Sequence, residues 1–75
     1  MKHSGYLEGF PERFQQLIFD KDINCVQLAE RIGYERKSIY SWKQGETCPN
    51  ILALARICKL FNVSADYLLF GEDNA

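Results

Sequence analysis

The stretch "QLAERIGYERKSIYSWKQG", residues 27–45, leaves a chain of 75 residues few ways to fold. Leu28, Ala29 and Ile32 share one side of a helix, and Gly33 follows them directly. Glycine adopts the left-handed conformation that ends a helix without a Cβ penalty. Helical spacing resumes two residues later, with Ile39 and Trp42 as the next inward pair. A connection that short must turn sharply. Two helices meeting near a right angle through a three- or four-residue turn need a small side chain where their backbones approach, and Ala29 stands there. Leu28, Ile32, Ile39 and Trp42 then fill the angle between them.

The remaining apolar residues extend the pattern. Phe10, Phe14, Leu17 and Ile18 recur at i, i+4, i+7 and i+8, which predicts a helix from about Pro11 to Lys21 with the proline in its first turn. Asn24, followed three residues later by Gln27, forms a capping box for a helix over Cys25–Ile32. The next helix covers Arg36 to Gln44 and stops at Gly45. Pro49 and Asn50 open a fourth, in which Ile51, Leu54, Ala55, Cys58 and Phe61 are the expected apolar stripe and Asn62 the terminator. Ser64 caps a last short helix, Ala65 to Phe70, closed by Gly71. The expected fold is all-α: one compact five-helix domain over residues 1–75, with its core at about 10–71 and short tails at 1–9 and 72–75. No strand pattern, internal repeat or linker is visible.

Composition narrows the function. A hydrophobic share of 47% belongs to a folded globule, yet no apolar run approaches the length that spans a bilayer. The opening "MKHSGYLEGF" lacks the apolar core of a signal peptide, so the expectation is a cytoplasmic protein with no membrane partner. Cys25, Cys48 and Cys58 are odd in number and show no C-x-x-C spacing, with His3 the single imidazole; neither a disulfide framework nor a metal site is expected. Cys58 reads as a buried small hydrophobe. Cys25 is expected to be more exposed, at a helix start that could lower its pKa. No nucleophile, base and orienting group occur together and no Gly-rich phosphate loop exists, so the chain is not expected to be an enzyme or to need a cofactor. The net charge of −1 speaks against a polyanionic partner, but its distribution does not. Residues 23–65 carry six Lys/Arg against Glu30, Glu35 and Glu46, a net of +3, while residues 66–75 carry −3 through Asp66, Glu72 and Asp73.

Three quoted segments share one register with a known family. "QLAERIGYERKSIYSWKQG" fits Q-L-A-x-x-x-G-x-x-x-x-x-I-x-x-W-x-x-G, "CPN" resembles that family's proline-led entry to its fourth helix, and "LFNVSADYLLFG" is similar to its L-G-V-S-x-x-x-L-L-x-G ending. The chain thus resembles the phage repressor and Cro-like (XRE-type) helix-turn-helix regulators from about Phe10 to Gly71. The resemblance implies a lambda-repressor-like fold, helices 2 and 3 as the helix-turn-helix, and double-stranded DNA as partner.

With Ile39 and Trp42 inward, Arg36, Lys37, Tyr40, Ser41 and Gln44 share the opposite face. In a helix-turn-helix that face enters the major groove, its N-terminal residues nearest the base edges. Arg36, Lys37, Tyr40 and Ser41 are the base-contact candidates: arginine and lysine reach guanine O6 and N7, and a hydroxyl pairs with several bases. By resemblance, the start of helix 2 and the end of helix 3 grip the backbone. Asn24, the Cys25 amide, Ser38, Lys43, Gln44 and Thr47 are therefore the phosphate-contact candidates. Trp42 as a base-stacking platform is the weaker reading beside its place in the core.

Some positions depart from the family pattern. Cys25 replaces a common glutamine, Glu35 the usual Ser or Thr cap of helix 3, and Glu46 a frequently basic residue. Lys43 stands where the family often has a glutamate paired to a helix 1 arginine; Ile18 takes the arginine's place, so both charges are missing together. Tyr67, Leu68, Leu69 and Phe70 cannot all face the core of one short helix and are the expected interface of a homodimer, with Tyr6 and Leu7 over part of that surface. Such a dimer would act as a repressor by excluding polymerase. The rival expectation is a protein-interaction module, such as an antitoxin or an anti-regulator partner, on the same fold.

Overall fold

A computed structural model describes residues 9–71. These hold five helices and no strand: α1 Phe10–Asp20, α2 Cys25–Ile32, α3 Arg36–Gln44, α4 Ile51–Phe61 and α5 Ala65–Phe70. The two tails, including Tyr6 and Leu7 and the acidic Glu72 and Asp73, lie outside the described residues. α1 begins one residue earlier than its proline suggests, because Gly9 takes a left-handed φ of 89° and lets Phe10 enter the helix. The capping box of α2 forms in full: Asn24 Oδ1 accepts from the Gln27 amide at 2.8 Å, and Gln27 Oε1 accepts from the Asn24 amide at 3.0 Å. Asn50 and Ser64 cap α4 and α5 through their own side chains. Gly33 ends α2 at φ 79°, and both its amide and that of Tyr34 donate to the Ala29 carbonyl. The bend is thus closed by the backbone itself.

The core is one cluster. Phe10, Phe14, Leu28, Ile32, Ile39, Ile57 and Leu68 are its fully buried large side chains, with Ala29, Trp42 and Phe61 beside them. Phe14 touches both Phe10, ring centroids 5.5 Å apart, and Trp42, at 6.3 Å. α1 packs against α3 and α5, α2 against α3 and α4, and α4 against α5. Between them they hold the helix-turn-helix from behind.

Four expectations of burial are corrected. On α4 the buried positions are Ala53, Ile57 and Phe61, flanked by half-buried Leu54, Cys58 and Leu60; Ile51 is 85% exposed and Ala55 is exposed. Every α4 residue except Arg56 and Lys59 is apolar, so two stripes compete on the helix and packing chooses the one in which small Ala53 allows close approach. Cys25 is buried rather than exposed, its thiol turned inward below the first turn of α2. Leu68 is a core residue at 0% exposure and has no surface to offer a second copy. Cys58 is half-buried, and burial pushes its thiol above the ordinary range.

Candidate nucleic-acid interface

α3 is fixed by two side chains and open on the rest of its circumference. Ile39 and Trp42 are sunk in the core, and the Trp42 indole meets Phe14 on one side and the edge of Tyr34, at 5.6 Å, on another. A helix anchored this way must turn its other stripe outward. Arg36, Lys37, Tyr40 and Gln44 are exposed there, and Ser41 and Ser38 lie half-buried at its margins.

The sequence starts α3 without a good cap. Glu35 makes no side-chain bond to the helix amides, as its type leads one to expect. Its carboxylate instead lies 3.7 Å from Lys37 Nζ, with both side chains well exposed, so solvent screens the pair. At the far end, Ser41 Oγ and Thr47 Oγ1 share a hydrogen bond of 2.7 Å that ties the following loop to the outer face of α3. A hydroxyl can donate and accept at once, so this bond leaves each group capacity for a further partner.

A second cluster lies where α3 meets the start of α2. The Lys43 ammonium donates to Cys25 Sγ at 3.6 Å and stands 5.8 Å from the centroid of the Tyr40 ring. The capping box occupies the amides of Asn24 and Gln27, which leaves those of Cys25 and Val26 at the helix start for an anionic oxygen. Asn24, Cys25, Val26, Tyr40 and Lys43 line one open groove, together with Phe19 and the acidic Asp22. Cys25 therefore enters this cluster twice, by its amide at the helix start and by its largely buried thiol, which accepts from Lys43.

Taken together, Arg36, Lys37, Tyr40, Ser41, Gln44 and Thr47 belong to one outward face of α3 and its loop, and Asn24, Cys25 and Lys43 to the adjoining groove. Of the expected α5 set, Tyr67 and Leu69 are half-buried and Phe70 is 55% exposed. Among the described residues no group of side chains is arranged to hold a metal ion.

Sequence reasoning missed the side chains that hold this face from behind. Gln15 donates from α1 to the Lys43 carbonyl at 2.7 Å, and Arg56 donates from α4 to the Ile32 carbonyl at 2.8 Å. Each satisfies a carbonyl that its helix leaves without an internal partner. Arg13 does the same for α5, through the Leu68 and Leu69 carbonyls at 3.0 and 2.8 Å.

The bent pair α2–α3, with its outer polar stripe, matches a known pattern. A helix-turn-helix family model fits residues 24–68, from the cap of α2 to the buried leucine of α5. This chain belongs to the XRE-type helix-turn-helix family of transcriptional regulators. Over 64 residues it is 41% identical to the HTH-type transcriptional activator BcrR of Enterococcus faecalis, covering 85% of this chain and 31% of that protein. Over 65 residues it is 29% identical to the uncharacterized HTH-type transcriptional regulator YqaE of Bacillus subtilis, covering 87% of this chain and 56% of the relative. An uncharacterized HTH-type transcriptional regulator of Haemophilus influenzae is 31% identical over 65 residues, which are 87% of this chain and 27% of the relative. The chain thus spans between 27% and 56% of the length of these relatives. That family is one of DNA-binding transcriptional regulators and is not enzymatic. No helix among the described residues is long and apolar enough to cross a membrane.

Proposed function

We propose that this protein is a sequence-specific, double-stranded DNA-binding repressor of the cytoplasm, acting as a homodimer that inserts α3 into the major groove. The observation that carries the reading is the outer stripe of α3, where Arg36, Lys37 and Tyr40 are exposed on a helix whose Ile39 and Trp42 are locked below. Arg36 and Lys37 occupy the first turn, the part of a recognition helix nearest the base edges. Arg36, Lys37, Tyr40 and Ser41 read bases, with arginine supplying the paired donors that guanine accepts. Asn24, Ser38, Lys43, Gln44, Thr47 and the Cys25 amide hold phosphates, which fixes register without reading sequence.

One such domain reads few base pairs, so two copies on a pseudopalindromic site gain both affinity and specificity. Tyr67, Leu69 and Phe70 on α5 supply the apolar contact. Bound over a promoter, the dimer represses by occupying the duplex that polymerase needs. The name of the Enterococcus relative favours a second reading, in which the same dimer activates from a site upstream of the promoter. A reporter carrying the selected operator at either position separates the two by the sign of its response.

The decisive experiment is in vitro selection from random duplexes with the wild-type chain and with Arg36→Ala, Ser41→Ala and Gln44→Ala. The first two shift base preference, at a cost of about 1–3 kcal/mol on the preferred site. Gln44→Ala weakens all sequences alike. Equal, sequence-blind losses from all three overturn the division into readers and clamps.

A further inference from the structure

Tyr34 follows the glycine of the bend and is held at three points. Its amide donates to the Ala29 carbonyl at 3.0 Å, its half-buried ring meets Trp42 edge-on at 5.6 Å, and its hydroxyl donates to Asn50 Oδ1 at 3.1 Å. The same Asn50 oxygen accepts from the Ala53 amide at 2.8 Å, as the cap of α4. One oxygen thus joins the turn of the helix-turn-helix to the first turn of α4. The loop between α3 and α4 is tied at both ends. Near α3, Ser41 holds Thr47 and the Glu46 amide donates to the Ser41 carbonyl at 3.0 Å. At α4, Tyr34 holds Asn50.

Neither the apolar spacing of the motif nor the cap of α4 requires that hydroxyl. Phenylalanine would pack on Trp42 equally well, and Asn50 caps α4 with or without Tyr34. What the hydroxyl adds is register between the recognition helix and residues 45–50. We propose that Tyr34 is a positioning residue for DNA binding, which acts through Asn50 to preset the 45–50 loop so that Thr47 meets the duplex backbone as α3 enters the groove. This inference rests on the reading of α3 and its loop as the DNA face. Presetting matters because a loop ordered before binding does not lose that freedom on binding.

The test measures affinity of the wild-type chain, Tyr34→Phe, Asn50→Ser and their double variant for the selected duplex, well below the melting temperature. Serine keeps the α4 cap, and its side chain is one bond shorter than that of asparagine. A merely structural role lowers melting temperature without moving affinity, because a protein far from its midpoint is almost wholly folded. On the inference, each single variant binds about two- to tenfold more weakly, the range set by one net hydrogen bond. The double variant is no worse than either single, and Thr47→Ala costs less in the Tyr34→Phe background than in the wild type. The salt dependence stays unchanged, since no cation is lost. Wild-type affinity for Tyr34→Phe, or losses that add fully with Asn50→Ser, overturns the inference while leaving α3 as reader. A wild-type chain that binds no duplex overturns both.

Discussion

Glu35 is the residue at which helix stability and DNA binding pull in the same direction. It stands at the N-cap of α3 in an extended conformation, makes no cap bond, and brings a carboxylate beside Lys37 at the end of the helix proposed to enter the groove. The same carboxylate repels phosphate and competes for the Lys37 ammonium. Glu35→Ser supplies a hydroxyl to the orphan amides and removes the charge. It is expected to stabilise the fold by about 1 kcal/mol, a rise of about 4–8 °C in a domain of this size. Duplex affinity rises with it, because Lys37 is released to the polyanion. Thermal melting by circular dichroism and duplex titration check the two halves separately; a stabilised variant with unimproved binding would place Glu35 away from the DNA.

Among the helices, α4 shows what sequence periodicity can and cannot decide. Ile57 is fully buried and Ile51 is 85% exposed, although both look equally apolar in the chain. Ile57→Ala is expected to cost about 2–5 kcal/mol through lost burial and the cavity left behind, and Ile51→Ala less than about 0.5 kcal/mol. Chemical denaturation of the two variants tests that phase, and equal losses would refute it. The helix ends were legible because their determinants are local: Asn24 with Gln27, Gly33, Asn50, Asn62, Ser64 and Gly71 each act within a few residues. The stripes of α1, α2 and α3 were legible because polar residues interrupt them on one side. α4 lacks that interruption, so tertiary packing sets its phase. The contacts of Arg13, Gln15, Arg56 and Tyr34 were hidden for a related reason. Each joins segments 16 to 56 residues apart, and no local pattern marks the partner. The outer face of α3 could be read at residue level because the inward pair Ile39 and Trp42 fixes everything opposite. The inward turn of the Cys25 thiol and the buried place of Leu68 could not, since each follows from how helix ends seat on the cluster.

For the whole molecule, the question that the proposed function raises is how a chain of net charge −1 would hold a polyanion. The answer lies in where the cations sit: Arg36 and Lys37 on the exposed face of α3, and Lys43 in the groove beside it. If each, whether it lies at a base edge in the groove or on a phosphate, displaces one condensed counterion, a single copy gives a slope of log affinity against log salt of about −3, and a dimer on two half-sites about −5. Phe70, 55% exposed at the end of α5, separates these cases, since in the proposed dimer a glutamate there would meet its own copy across a two-fold axis. Phe70→Glu is expected to leave the helical spectrum intact, abolish the dimer in sedimentation, and return the slope to about −3 with a large loss of affinity on the palindrome. Half-sites in the selected operator then lie about one helical turn apart, roughly 34 Å, as two recognition helices on one duplex face require. A slope near −3 that Phe70→Glu does not alter leaves the DNA face standing and removes the dimer. A slope near zero removes the face itself, for no arrangement of these three cations against a duplex is indifferent to salt.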